Sequence, residues 1–241
     1  MSAAKQLITR LVMSFLSKTK DSGRPYTVIV EGNIGSGKTT FLQHFSKHRD
    51  VTVLAEPVDA WRNIKGNNLL SLLYEDPKKW SFTFQSYAQV TMLQNHTKQT
   101  LKPIKMIERS VYSARYCFVE RLLRDGLLPA PSAAVLDHWF QWIIEHNLAE
   151  VDLVVYLRTT PEVVYERILK RKRPEERTVS MDYLKSLHDL HEEWLFHKTL
   201  HKCPAPTLVL NADLERSVIK AEFEKWEPQI LNKGSAEAHA I

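Results

Sequence analysis

The chain has 241 residues, 44% hydrophobic and 25% charged, an ordinary balance for a globular protein of one large or two small domains. Two lone cysteines, Cys117 and Cys203, argue against a disulfide framework or a cysteine zinc site and for reduced thiols inside a cell. A formal charge of +5 suits an anionic ligand and suits nucleic acid equally, while no apolar run approaches the length of a membrane span.

Residues 1–24 form a basic segment. Lys5, Arg10, Lys18 and Lys20 precede the first acid, Asp21, and Leu7, Ile8, Leu11, Val12, Phe15 and Leu16 recur at helical spacing. That pattern reads either as a mitochondrial transit peptide or as a disordered or partner-binding arm. A buried strand is expected over residues 26–30, and apolar Phe41, Leu42 and Phe45 mark a helix after it. Between them lies Gly32-Asn33-Ile34-Gly35-Ser36-Gly37-Lys38-Thr39, continued by Thr40. This G-x-x-x-x-G-K-T spacing, at a strand-to-helix turn, is the P-loop pattern of nucleoside triphosphate binders. Glycines let successive N–H groups point inward at a helix N-terminus. Lys38 then reaches the β- and γ-phosphates, and the Thr39 hydroxyl ligates Mg²⁺.

A second strand over 51–55 ends on Glu56-Pro57, which places Glu56 at the sheet edge where ligands of parallel sheets sit. A lone carboxylate there is either merely solvated or able to take a proton from a hydroxyl attacking a γ-phosphate. After a mixed stretch from Trp61 to Trp80, residues 84–95 read as a helix with Phe84, Gln85, Ala88 and Met92 on one face. An amide on an apolar wall suits a planar heterocycle, although Trp61, Tyr74, Phe84 and Phe118 also suit a plain core.

A third strand over 104–107 ends on Glu108-Arg109-Ser110, an acid and a guanidinium fitted for a metal ligand and a phosphate clamp, or for a surface ion pair. Val111, Ala114, Phe118 and Leu122 then mark a helix, and Leu136, Trp139, Phe140 and Ile143 a second one following Ser132. A fourth strand covers 152–157, and Thr160-Pro161 starts a helix with Thr160 as N-cap. That helix runs into the basic run Arg167 to Arg173, where Arg167 and Arg171 share a face able to close over a triphosphate. A helix over roughly 180–197 carries His188 and His191, which have no evident third metal ligand. A fifth strand at 207–210, a helix striped by Ile219, Phe223, Trp226 and Ile230, and a small polar tail over 233–241 complete the chain. Strands alternating with helices predict a single α/β domain over 25–232, its parallel sheet covered on both faces.

Several segments together resemble the deoxyribonucleoside kinases, in particular the insect multisubstrate enzymes and mitochondrial thymidine kinase. They are Glu31 to Thr40, Glu56-Pro57-Val58, Trp61-Arg62-Asn63, Phe84-Gln85-Ser86-Tyr87, Glu108-Arg109-Ser110, Ser113 to Tyr116, Tyr156 to Thr159 and Leu190 to Trp194. The resemblance implies a P-loop kinase fold, a five-stranded parallel sheet with an arginine-rich lid, in a homodimer. It implies transfer of the ATP γ-phosphate to a deoxynucleoside 5′-hydroxyl, with Glu56 as base, Arg109 beside the 5′-oxygen, and Thr39 and Glu108 at Mg²⁺. Gln85 then pairs with the nucleobase between Trp61, Phe84 and Phe118, with Ala88, Met92 and Ala114 on the apolar walls. Tyr74 and Glu176 hold the sugar 3′-hydroxyl, Arg167, Arg171 and Arg173 belong to the lid, and Asp213 falls near the adenine loop.

Two positions depart from the family pattern: Leu169 stands where a lid arginine is expected, and Ala88 is smaller than the usual valine. The expected activity is deoxynucleoside phosphorylation with pyrimidines favoured and purines accepted, in mitochondrion or cytoplasm. A thymidylate-type monophosphate kinase is the alternative, disfavoured because Glu56 and Glu176 would repel a phosphorylated acceptor. A nucleic-acid-binding role for the basic run lacks an aromatic-studded basic surface.

Overall fold

A computed structural model describes residues 23–231. The proposed transit peptide within 1–24 therefore falls, apart from its last two residues, outside the described residues, as does the polar tail over 233–241. Five parallel strands, β1 (Tyr26–Glu31), β2 (Val51–Leu54), β3 (Ile104–Glu108), β4 (Leu153–Arg158) and β5 (Thr207–Asn211), form one sheet in the order β2-β3-β1-β4-β5. β1 pairs on one side with β3, Val30 opposite Glu108, and on the other with β4, Glu31 opposite Tyr156. From β1 the chain moves outward to β2, returns to β3, and then crosses to β4. Such a reversal opens a crevice beyond the carboxyl ends of the strands.

Period-2 alternation sends neighbouring residues of the buried strands to opposite faces. Ile29, Val154 and Tyr156 join one core with Phe140, Leu190 and Trp194. Val28, Val30, Val155 and Leu157 join the other with Phe41, Phe45 and Phe223. The second core is covered by α1 (Lys38–Phe45) and the final helix α10 (Arg216–Ile230), where Phe41 meets Phe223 edge-on at 4.8 Å. The first lies beneath α2 (Val58–Arg62), α3 (Leu69–Glu75), α4 (Pro77–Thr97), α5 (Val111–Ser113) and α7 (Ala130–Glu145), while α6 (Glu120–Arg124) packs Leu122 into a smaller cluster with Val119, Leu128 and Leu136.

Three helices depart from the expected boundaries for local reasons. The mixed stretch before Trp80 contains α3, capped by Asn68, whose side chain accepts from Ser71 N at 2.9 Å. The expected helix at 84–95 is the C-terminal part of α4, which starts at Pro77 behind an Asp76 cap. Its first two turns mix Lys78, Lys79, Ser81 and Thr83 with Trp80 and Phe82, which blurs the apolar stripe before Phe84. Thr160 occupies the N-cap position of α8 (Pro161–Arg171), yet its hydroxyl donates to Asp213 Oδ1 at 3.1 Å instead of capping. α8 ends at Arg171 because Lys172 takes left-handed geometry at φ 52°, which leaves Arg173 beyond the helix.

Two helices carry π-type turns that periodicity did not reveal: residues Ala114–Val119 between α5 and α6, and Glu192–Phe196 after α9 (Met181–His191). The two segments face each other, with the Tyr116 and Trp194 rings 5.4 Å apart.

Gly32 closes the end of β1 at φ 143°, where an added Cβ would lie 2.7 Å from the Leu157 carbonyl oxygen. Gly66 also has positive φ, 86°, but faces open space. Both alanine substitutions store backbone strain, of about 1–3 kcal/mol, and only Gly32→Ala adds a collision with β4. Urea unfolding is expected to show Gly32→Ala clearly less stable than Gly66→Ala; equal losses would make the contact with Leu157 irrelevant.

Candidate active site

The crevice at the carboxyl ends of the strands is a cavity of about 930 Å³. The loop from β1 to α1 forms its floor. Gly37, at φ 97°, is the N-cap of α1 and offers no side-chain acceptor, so the helix begins with uncapped N–H groups suited to an anion. Asn33 braces the loop: its side chain accepts from Ile34 N and donates to Leu184 O on α9, each at 2.8 Å. Gly32 and Asn33 sit behind the cavity wall, while Ile34, Gly35, Ser36, Gly37, Lys38, Thr39 and Thr40 line it. Lys38 Nζ donates to Gly32 O at 3.1 Å and Asn33 O at 2.8 Å, and burial pushes its pKa down to about 7. Two carbonyls thus hold the ammonium at the place where the sequence pattern puts phosphate.

Two carboxylates and one guanidinium meet above this floor. Glu108, at the end of β3, accepts from Thr39 Oγ1 at 2.9 Å. Glu56, just past β2, has Oε1 3.0 Å from Arg109 Nε. Burial raises the Glu56 pKa, opposed by the nearby charges of Arg109 and Lys38. Arg109 is 2% exposed and takes left-handed backbone at φ 59°, a costly conformation for a bulky residue. Its guanidinium lies over the Phe118 ring at 4.7 Å, and Nε and Nη1 have no directed hydrogen bond among the described residues. Strain, burial and unspent donors on one side chain at a cavity wall are the marks of a binding group.

Beyond Arg109 the cavity turns apolar. Trp61 and Phe84 meet edge-to-face at 5.3 Å, and Trp61 Nε1 is fixed by a 2.9 Å bond to Thr91 Oγ1. Gln85 is buried among them and hydrogen-bonds to no described residue, so its amide is free to pair. Ala88, Met92, Ala114 and Phe118 complete these walls.

The opposite rim carries the basic run, already paired with the protein itself. Arg171 forms a two-pronged ion pair with Glu176, and Arg173 Nη1 lies 3.7 Å from the same carboxylate. Arg167 donates to the carbonyls of Ala212 and Leu214 at 2.9 and 3.2 Å. Asp213 accepts from Thr160 N at 2.8 Å, joining the loop after β5 to the start of α8. Tyr74 lines the cavity near Glu176, and burial raises its pKa well above the ordinary range. Leu169 is 56% exposed and points away from the cavity, whereas Lys170 reaches its edge.

Glu31, Glu175 and Tyr183 had no individual role in the sequence reading. Glu175 pairs twice with Arg62, at 2.7 and 3.2 Å, and Tyr183 lines the cavity beneath the Arg121 guanidinium. Glu31 is fully buried at the end of β1 and accepts from Ser110 Oγ at 2.5 Å, its second oxygen being unpartnered. The same Ser110 oxygen accepts from Tyr112 N and Ser113 N and so caps α5. The signal was an acid ending an apolar strand, a position that looks like an ordinary strand end until the neighbouring strands are known.

The family model for deoxynucleoside kinases matches residues 28–233, and the chain belongs to that family. It is a kinase that phosphorylates deoxynucleosides with ATP as donor. Among its relatives, mitochondrial thymidine kinase 2 of Homo sapiens is 45% identical over 214 residues, covering 89% of this chain and 81% of the human protein. Deoxycytidine kinase 2 of Gallus gallus is 34% identical over 228 residues, covering 81% and 86%. Deoxycytidine kinase of Mus musculus is 34% identical over 231 residues, covering 83% and 89%.

Burial raises the Glu31 pKa from 4.5 to about 7, against the pull of Ser110 and Arg109. Between those values the folded protein holds a proton that the unfolded chain releases. The stability contributed by neutral Glu31 is therefore complete below about pH 4.5 and is lost as pH rises through about 7. Glu31→Gln, neutral throughout, is expected to gain stability relative to wild type between about pH 5 and about pH 8. Urea midpoints at the two pH values measure it, and a constant difference would mean that Glu31 is ionised at both.

Proposed function

We propose that Glu56 is the general base for a deoxynucleoside 5′-hydroxyl and that Arg109 holds the same oxygen. The observation that carries this is the 3.0 Å pair of Glu56 and Arg109, set between the phosphate loop and the Gln85 pocket. A nucleoside whose base pairs with Gln85 directs its sugar toward that pair, with Tyr74 and Glu176 within reach of the other hydroxyl. Ionised Glu56 accepts the proton as the oxygen attacks. Lys38 leaves the Gly32 and Asn33 carbonyls for the phosphates, and the α1 N–H groups and lid arginines stabilise charge spread over the transferred group. Holding both reactants in line supplies much of the acceleration.

Thr39 Oγ1 and Glu108 Oε1, 2.9 Å apart at the cavity wall, are hard oxygen donors of the kind Mg²⁺ takes in small number. They would hold the ion, which when bound neutralises negative charge on the donor phosphates.

The finer reading extends to substrate, assembly and place. The names of the thymidine and deoxycytidine kinase relatives support pyrimidine deoxynucleosides as the favoured acceptors. Exposed Trp139, Trp142 and Val90 form one apolar face on α4 and α7, 40–50% accessible, that supports a homodimer. The mitochondrial relative and the basic start of the chain support a mitochondrial location, with residues 25–232 as the kinase unit.

Glu56→Gln is expected to lower kcat about a hundred- to ten-thousand-fold while nucleoside binding, followed by calorimetry, persists. Turnover within a few-fold of wild type would remove Glu56 from the role of base.

Base choice follows from wall volume. Ala88 is 2% exposed at the pocket, and valine there adds two methyl groups; one methylene in an apolar pocket is worth about 1–3 kcal/mol of discrimination. Kinetics with the four deoxynucleosides are expected to show measurable purine turnover in wild type and a wider pyrimidine advantage in Ala88→Val. Unchanged kcat/KM ratios would show that this wall does not select the base.

A further inference from the structure

On the face of the sheet opposite the nucleobase pocket, two imidazoles and one carboxylate converge without bonding to each other. His44 stands in the last turn of α1, and His48 in the turn that follows, its backbone N–H donating to Phe45 O at 3.0 Å. Glu227 comes from the last turn of α10. His44 Nε2 lies 3.5 Å from Glu227 Oε2, and His48 Nε2 lies 3.4 Å from Glu227 Oε1. All three ligand atoms fall within 4.8 Å of one another. Charge-assisted N–H···O⁻ bonds are about 2.7–2.9 Å long, so these separations are too wide for the hydrogen bonds that would explain the cluster. Each imidazole faces a different oxygen of the carboxylate at a separation close to the roughly 3.3 Å that arms of about 2.0–2.1 Å at tetrahedral angles set between neighbouring donors, a cluster that a small movement could close around an ion.

A further observation points the same way. His44 Nε2 is buried and has no hydrogen-bond partner among the described residues. A polar atom left in that state costs stability unless something satisfies it. The His44 ring is held edge-on by Phe45 at 5.1 Å and Phe223 at 5.8 Å, which aims this nitrogen at Glu227. The His48 and Glu227 side chains keep 26% and 24% exposure, which leaves the cluster open for an ion to enter and for water to fill a fourth position.

We propose that His44, His48 and Glu227 bind a divalent transition-metal ion of the zinc type, separate from the ion expected at Thr39 and Glu108. Two imidazoles select zinc, cobalt, nickel or copper over magnesium and calcium, which take oxygen donors. The ion fastens α10 to the helix that begins at Lys38 and Thr39. Because the start of α10 and the loop before it line the nucleotide cavity through Asp213, Leu214 and Ile219, the clamp secures that wall from behind. The histidine spacing of four was visible in the chain; its partner is 179 residues downstream of His48, and only the packing of α10 on α1 joins them.

The test uses the full-length protein, freed of metal with a chelator and titrated with Zn²⁺ against a chromophoric indicator, and in parallel with Co²⁺. One equivalent is expected to bind tightly, Co²⁺ giving the intense visible bands of four-coordinate geometry, and Zn²⁺ is expected to raise Tm. His48→Gln and Glu227→Gln are each expected to abolish the Tm shift. Each is also expected to weaken Zn²⁺ by more than the roughly 10- to 100-fold typical of losing a mere supporting partner. These partly exposed positions are preferred to His44, whose ring packs in the core, and circular dichroism checks that both variants fold. Equal affinity in wild type and both variants would place the metal elsewhere among the ten histidines and overturn the proposal. So would the absence of a stoichiometric site, or the weak bands of six-coordinate cobalt.

Discussion

The buried guanidinium of Arg109 needs counter-charge, and meeting that need organises the crevice. Glu56, Glu31 and Glu108 each act on it electrostatically, and they come from the ends of three different strands. Glu56, in contact with it at 3.0 Å, cannot be removed cheaply, because breaking a buried ion pair leaves an uncompensated charge worth about 3–5 kcal/mol. The strand order places the ends of β1 and β3 side by side, so the fold delivers these charges to one spot without long loops. Left-handed backbone at Arg109 turns its side chain from the strand direction into the cavity. The strain is tolerated because Arg109 N still donates to Val30 O at 3.0 Å, which pins the turn to β1.

The crevice is electrostatically closed upon itself. Lys38 rests on loop carbonyls, Arg171 on Glu176, and Arg167 on the carbonyls after β5. Cations grouped for a polyanion repel one another when it is absent, and each of these internal partners offsets part of that cost. A triphosphate must therefore displace existing bonds, and its net affinity is smaller than a list of its contacts would suggest.

Much of this was legible in the chain because the informative features are local. Gly32 to Thr39 declares a strand-to-helix phosphate loop by spacing alone, and every boundary of the five strands falls within one residue of its expected place. What stayed hidden depends on distant partners. Glu31 reads as an ordinary strand end until Ser110, 79 residues away, is brought against it. Thr160 reads as a cap, and occupies the cap position, but Asp213 takes its hydroxyl. The start of α4 is blurred because Lys78, Lys79, Ser81 and Thr83 interleave with Trp80 and Phe82, although Asp76-Pro77 is a sound start signal. The π turns left no periodic trace, since one extra residue in a turn blurs a 3.6-residue repeat without abolishing it.

Those π turns limit how the chain can change in length. A π turn behaves as an α-helix with one residue inserted, and each residue of helix rotates the next by about 100°. Losing one residue between Ala114 and Val119 would swing Phe118 away from Arg109 and misdirect every side chain of α6 behind it. The same loss between Glu192 and Phe196 would turn Trp194 off Tyr116. Insertions and deletions, which surface loops absorb readily, are thus barred from two stretches of helix that look unremarkable as sequence. The residue count of the helix that carries Ala114 and Phe118 is as much a part of the active site as the identity of the residues that line it.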